Sequence, residues 1–296
     1  MSRLLVIGAS GQVGHHLMRA AGDEATGTFL STELPGLRQL DVRDAGAVEA
    51  LLEEVRPEWV VLPASATHVD RCETDPGPAY EVNVRGVANV AGAAARLGAR
   101  LAYFSSDYVF DGEAGPYGEA DPVSPICEYG RQKVYAEHAV LRAAPDALIL
   151  RTTVVYGWEP QGKNFVYRLL GHLERGEPIR VPADQVGSPT YAPGLARATL
   201  KLVERGEPGI WNLVGDALAN REEFAREAAR VFGGDPDLVV GISTAELGQD
   251  APRPLGLGLR IDRARPIVGD DLPGYPEGLR LMAAERATAE EAPGDA

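Results

Sequence analysis

The chain has 296 residues, 45% hydrophobic and 24% charged, with a formal net charge of −14. That apolar content supports a packed core in one large domain or two smaller ones and excludes disorder as the main state. The acidic balance excludes sequence-independent binding to nucleic acid or to an anionic membrane surface, and no apolar run reaches the roughly 18 residues a membrane helix needs.

The N-terminal residues carry no signal-peptide pattern, so a cytoplasmic protein is expected. Residues 3–7, RLLVI, form a short apolar run ending in glycine, the mark of a strand buried on both faces of a parallel sheet. A helix is expected over 12–21, a strand over 25–30 and a shorter strand over 37–40. Val48, Leu51, Leu52 and Val55 have helical spacing, and Pro57 stops that helix. Strands at 58–64 and 99–106 flank an alanine-rich helix over 79–97 that ends at Gly98. A helix over 130–143 and a strand over 147–157 follow. Alternating strands and helices with short connections predict an α/β fold, a doubly wound parallel sheet of the Rossmann type.

After 157 the rhythm loosens. Helices are expected at 164–175, 194–205 and 221–232, and strands at 179–181, 209–214 and 238–242. The expected organisation is a dinucleotide-binding domain over 1–157, with 191–216 returning to it, and a smaller, interleaved substrate domain over 158–282. Residues 283–296 have too little apolar content to pack and are expected to form a disordered tail. Cys72 and Cys127 are too few for a metal cluster, and the five histidines lack metal-ligand spacing, so no metal is expected.

Gly8, Gly11 and Gly14 follow the first strand and open the first helix. Glycines there let the backbone turn tightly and approach a pyrophosphate, which the helix N-terminus favours. The end of the second strand reads Thr28-Phe29-Leu30-Ser31-Thr32, with no acid until Glu33. A carboxylate there would bind the ribose 2′-hydroxyl of NAD. Its absence favours NADP(H), with NAD(H) as the alternative; Ser31 and Thr32 could meet a 2′-phosphate, and Arg38 is the nearest base.

Tyr129 and Lys133 lie four apart on one helix face. Lysine occurs only at 133, 163 and 201, so the pair is unlikely to arise by chance. An ammonium near a phenol favours the phenolate and draws the tyrosine toward acid–base duty. Ser105 and Ser106 sit at the end of a strand, where open α/β sheets bind ligands, and one of them could polarise a substrate carbonyl.

GASGQVG, FSSDYVFDG at 104–112, PYGEADPVSPICEYGRQK at 116–133, LRTTVVYG at 150–157 and DQVGSPTYAPGLA at 184–196 occur in order. With them the chain resembles the extended short-chain dehydrogenase/reductase family, over nearly its whole length to about residue 282. Within that family it is most similar to the reductases of dTDP-linked 4-keto-6-deoxy sugars and to the regulatory beta subunit of methionine adenosyltransferase. The resemblance implies catalytic roles for Ser106, Tyr129 and Lys133. It implies dinucleotide contacts at Gly8, Gly11, Gln12, Val13, Asp41, Val42, Ser65, Ala66 and Thr67, besides Tyr129 and Lys133. Substrate contacts are implied at Ser106, Asp107 and Val154, the last replacing a tryptophan of the bacterial reductases. Asn83 matches a helix asparagine common in the family. Leu62-Pro63-Ala64-Ser65 departs from the Asn-Ala-Ala or His-Ala-Ala run usual after the fourth strand. Asp107-Tyr108 lacks the glutamate that related dehydratases carry.

The implied activity is NAD(P)H-dependent reduction of a nucleotide-linked 4-keto-6-deoxy sugar. The alternatives are a nucleotide-sugar 4-epimerase and a non-catalytic NADP-binding regulatory subunit. The expected partner is the nucleotide-sugar substrate, with no nucleic acid and no membrane, and a homodimer is a possible assembly. Arg168, Arg253 and Arg260 are candidate cations for the nucleotide diphosphate, and Lys133 is expected to lower the Tyr129 pKa.

Overall fold

The computed structural model describes residues 4–291, and the side chains of 4–286. The first half runs β1 (Leu4–Val6), α1 (Gln12–Ala21), β2 (Ala25–Phe29), β3 (Arg38–Gln39), α2 (Ala45–Val55), β4 (Trp59–Leu62), α3 (Val69–Thr74), α4 (Pro76–Tyr80), α5 (Val87–Leu97), β5 (Arg100–Ser106), α6 (Glu128–Ala143), β6 (Leu148–Thr152) and β7 (Val155–Tyr156). The second half runs α7 (Phe165–Glu174), β8 (Ile179–Pro182), β9 (Val186–Gly187), β10 (Thr190–Tyr191), α8 (Ala192–Arg205), β11 (Gly209–Asn212), β12 (Ala219–Asn220), α9 (Arg221–Val231), β13 (Val239–Ile242), α10 (Thr244–Leu247), α11 (Arg265–Val268) and α12 (Tyr275–Glu291).

Seven strands form one parallel sheet in the order β11-β6-β5-β4-β1-β2-β3. From β3 to β6 this is the dinucleotide-binding order, and the chain reverses between β1 and β4. Alternate residues of each strand serve opposite cores. Leu4, Val6, Trp59, Val61, Ala102 and Phe104 pack with α1 and α8 on one face. Leu5, Ile7, Val60, Leu62, Leu101 and Tyr103 pack with α2, α5 and α6 on the other. Burial on both faces explains why the strands read as unbroken apolar runs. A third core joins Tyr156, Val166, Leu169, Phe224, Val239, Leu279 and Met282 in the C-terminal half.

Three features differ from the sequence reading. The expected strand 147–157 is broken, because Val154 has φ 45°. A β-branched residue in that left-handed region cannot continue a strand, so β7 leaves the large sheet and pairs with β10. The helix expected over 79–97 is interrupted by a π-helical turn over Glu81–Gly86, between α4 and α5. Third, residues 283–291 are helical, continuing α12, while 292–296 lie outside the described residues. Low apolar content is compatible with a helix when alanine, glutamate and arginine supply propensity and the preceding turns are anchored. Leu279 and Met282 are fully buried, and Trp158 Nε1 donates to the Met282 carbonyl at 2.7 Å.

This anchoring is testable by truncation. A chain ending at Gly274 loses both buried side chains, at about 1.5–3 kcal/mol each, and its denaturation midpoint should fall clearly. A chain ending at Arg286 keeps both and should unfold close to wild type. Equal midpoints for the two truncations would contradict the docking of α12.

Candidate active site

The carboxyl ends of β1, β2, β4, β5 and β6 open into one cavity of about 760 Å³. Its walls are the glycine turn, the loop 63–67, residues 104–108, the Tyr129–Lys133 face of α6, Thr152–Val155, the loop 159–165 and Arg221.

The glycine turn is built by close approach. Gly8 has φ +98°, and a Cβ there would stand 2.9 Å from Ala64. A Cβ on Gly14 would collide with the Gly8 carbonyl oxygen. Thr28 fixes the turn from β2, accepting Gly8 N at its hydroxyl (3.1 Å) and Ala9 N at its carbonyl (2.7 Å). Gly11 is different. Its Cβ position touches only Gly8 O, at 3.4 Å, and the residue lines the cavity. Two glycines therefore serve the fold, while the third leaves a cradle at the N-terminus of α1 that an anionic group can approach.

The loop after β4 is held from the π-helical turn. Buried Asn83 accepts from Ser65 Oγ and Ala66 N, both at 2.8 Å, and donates from Nδ2 to Ala66 O at 3.0 Å. The same Nδ2 donates to Gln132 Oε1 at 2.9 Å. Gln132 lies between Tyr129 and Lys133 on α6, so one amide network joins the loop at 65–67 to that helix.

Ser106, Tyr129 and Lys133 meet on the cavity wall. The Ser106 hydroxyl donates to Asp107 Oδ1 at 3.1 Å and acts on the neighbouring Tyr129 phenol. Lys133 Nζ donates to Phe104 O at 3.0 Å and Tyr103 Oη at 3.3 Å. Burial pushes the Lys133 ammonium down to about 8, against the opposing charge of Glu137. Burial also pushes the Tyr129 phenol well above its ordinary value; the Asp107 carboxylate adds to this, and Ser106 opposes it. The expectation that Lys133 lowers this phenol is therefore corrected. Its Nζ lies 5.7 Å from the ring centroid and is turned to the Phe104 carbonyl, so burial wins. Burial raises Asp107 to about 6, countered by Thr153, Ser106 and Arg221.

This arrangement can polarise a carbonyl and hand it a proton beside a dinucleotide-sized cleft. The sequence comparisons agree with it. A family model described as the RmlD substrate binding domain matches residues 2–288. The chain belongs to that family. The dTDP-4-dehydrorhamnose reductase of Aggregatibacter actinomycetemcomitans is 33% identical over 297 residues, covering 96% of this chain and 99% of its own. The enzyme of the same name from Mycobacterium tuberculosis (strain H37Rv) is 37% identical over 258 residues, covering 85% and 82%. A crystal structure of a Bacillus anthracis dTDP-4-dehydrorhamnose reductase in complex with NADP superposes with TM-score 0.87 at 31% identity, covering 96% and 99%.

Of the residues that resemblance to the extended short-chain dehydrogenases had marked, the structure brings Gly8, Gly11, Gln12, Val13, Val42, Ser65, Ala66, Thr67, Ser106, Asp107, Tyr129, Lys133 and Val154 to this one cavity. Asp41 is outside it: its carboxylate holds the Arg43 guanidinium and accepts Arg43 N at 3.0 Å. Ser31 lines the cavity, whereas Arg38 is engaged by Glu54. Two of the arginines expected at the diphosphate, Arg253 and Arg260, are paired elsewhere. Arg253 pairs with Asp70 at 2.8 Å, Arg260 pairs with Asp121 at 3.2 Å, and exposed Arg168 lies over the Phe165 ring.

Two features escaped sequence reading. Buried Glu159 accepts the backbone N–H groups of Gln161 and Lys163, both at 2.6 Å, and Gln161 Nε2 donates to Ser10 O at 2.7 Å. That loop thereby packs on the glycine turn and brings Lys163 to the cavity. Arg221, the first residue of α9, is the second. Asn220 followed by Glu223 marks a capping box, so the helix start was legible, but its distance from β5 was not.

The two kinds of glycine predict two kinds of variant. Gly14→Ala should lower the melting temperature, since the collision is with backbone. Gly11→Val should melt near wild type but bind NADPH at least tenfold more weakly, because the branched side chain fills the cradle. Wild-type NADPH affinity in Gly11→Val, measured by fluorescence titration, would remove the turn from the cofactor site.

Proposed function

We propose that this protein is an NADPH-dependent reductase of the keto group of a nucleotide-linked 4-keto-6-deoxy sugar, of the dTDP-4-dehydrorhamnose reductase type. The observation that carries the reading is the convergence of Ser106, Tyr129 and Lys133 on the cavity that also holds the Gly11 cradle. Membership of the RmlD family and similarity to reductases along the whole chain support it.

The residues present fit NADP(H). Among the described residues, Asp107 and Glu159 are the carboxylates lining the cavity, and neither lies on β2. The end of β2 offers Ser31 instead, so no charge there opposes a 2′-phosphate. When bound, NADPH supplies the hydride for the carbonyl carbon. Ser106 donates a hydrogen bond to the carbonyl oxygen and polarises it. Tyr129 gives its proton to the oxygen as negative charge develops there. Its raised pKa suits this role, because the phenol keeps its proton until a stronger base forms beside it. Lys133, two of whose three donors go to Phe104 O and Tyr103 Oη, would offer the third to the nicotinamide ribose. A cytoplasmic location, where NADPH and sugar nucleotides are available, belongs to the same reading.

Tyr129→Phe removes the acidic hydroxyl and keeps the ring. General acid catalysis is worth about 10²–10⁴-fold, so turnover should fall by that factor with NADPH affinity little changed. Lys133→Met should lose both turnover and NADPH affinity. The assay is NADPH oxidation with a 4-keto sugar nucleotide. Wild-type turnover in Tyr129→Phe would refute the mechanism. A wild type that binds NADPH yet reduces no sugar nucleotide in a broad panel would establish the regulatory reading instead.

A pH dependence follows from Lys133, held at about 8. Its ammonium is present below that pH and is lost as pH rises through it. NADPH affinity and turnover should therefore decline on the alkaline side of about pH 8, rather than near the ordinary lysine range. A wild-type profile flat to pH 10 would show that the ammonium is not required.

A further inference from the structure

The cavity's cations are Lys133, Lys163 and Arg221 among the described residues. Lys133 is committed to the Phe104 carbonyl and the Tyr103 hydroxyl. Lys163 stands at the glycine turn through Gln161, whose Oε1 accepts its Nζ at 2.7 Å. Arg221 faces the other end, where its charge acts on Asp107 and Tyr108.

Arg221 is held by its backbone and not by its side chain. Its N–H donates to Gln185 O at 3.2 Å, and Asn220 caps the helix before it. The nearest acids along α9 are engaged elsewhere. Glu222 pairs with Arg226 at 2.9 Å, and Glu223 accepts the Asn220 N–H at 2.9 Å. Among the described residues no hydrogen bond or ion pair reaches the Arg221 guanidinium. The half-buried Arg221 guanidinium lines the cavity without a partner among those residues, and a guanidinium's planar fork of donors matches a phosphate oxygen pair.

We propose that Arg221 binds the diphosphate of the sugar-nucleotide substrate. The assignment rests on the reading of the substrate given above. The diphosphate links the sugar to the nucleoside, so a sugar carbonyl at Ser106 and Tyr129 puts it within the same cavity, which Arg221 also lines. Exposed Arg168, close enough to Arg221 to repel its charge, adds a second cation at that rim. In a chain of net charge −14, a local pair of arginines is what makes room for a dianion.

Calorimetric titration of the intact protein with dTDP, UDP, thymidine and NADPH tests this, using wild type, Arg221→Met and Arg221→Lys. Charge-assisted contacts of this kind predict a dTDP affinity about 10–100-fold weaker in Arg221→Met, with partial recovery in Arg221→Lys. Thymidine and NADPH affinities should stay within about twofold. Wild-type dTDP affinity in Arg221→Met overturns the assignment while leaving the sugar-nucleotide reading intact. Loss of NADPH affinity in Arg221→Met makes the residue structural and overturns it as well. A wild type that binds NADPH but neither dTDP nor UDP overturns the substrate reading and the assignment together.

Discussion

A buried ammonium must be held by oxygen, and the placement of Lys133 follows from that requirement. Its side chain is 2% exposed, so the Phe104 carbonyl and Tyr103 hydroxyl have to replace water around it. This pins α6 against the end of β5. One turn further along the same helix, Glu137 accepts from Ser105 Oγ and from both Arg151 Nε (3.0 Å) and Nη2 (2.8 Å). β5, α6 and β6 are thus joined by a chain of buried charges, each satisfied. Such a network contributes little net stability, but removing one member leaves an uncompensated charge. Its benefit is geometric: Tyr129, one turn before Lys133, inherits a position set by groups that cannot move independently.

Gln132 extends this constraint to the loop that lines the dinucleotide side. It is buried, and it connects α6 to Asn83 and thence to Ser65 and Ala66. The π-helical turn at Glu81–Gly86 is what aims Asn83 inward. π-turns inside α-helices recur at functional positions because they redirect one side chain without ending the helix. The Tyr129–Lys133 face and the loop at 65–67 are therefore one mechanical unit, although they are more than sixty residues apart in sequence.

Much of this architecture is readable from local pattern. RLLVI at 3–7 announces a doubly buried strand because each of its residues must meet apolar neighbours on one face or the other. Gly98 and the 3.6-residue spacing of Val48, Leu51, Leu52 and Val55 mark helices for equally local reasons. The site residues that could be read were those whose chemistry and spacing coincide, as in Tyr129 and Lys133. What could not be read depends on contacts between distant segments. Nothing near Val154 signals φ 45°; the carbonyl of Val154 accepts Thr190 N at 3.1 Å, and the surrounding fold holds the strained conformer. Asp41 is expected near the adenine by resemblance alone, and its carboxylate holds Arg43 two residues on. Arg221 resembles any surface arginine at a helix start until the second half of the chain folds back on the first.

The charge distribution gives the final constraint. A protein of net charge −14 repels anionic ligands at long range, yet the proposed cofactor and substrate both carry phosphates. At physiological ionic strength the screening length is about 8 Å, so the surface charge is felt weakly by a ligand already in the cleft. Contact interactions then decide, and the carboxylates in the cavity are both restrained. Glu159 spends its oxygens on two backbone N–H groups, and Asp107 Oδ1 accepts from the Ser106 hydroxyl. Lys163 and Arg221 are the cations at the cavity's two ends. On the proposed reading, selectivity for the ligands rests on where these few positive charges stand in an otherwise acidic body rather than on their number.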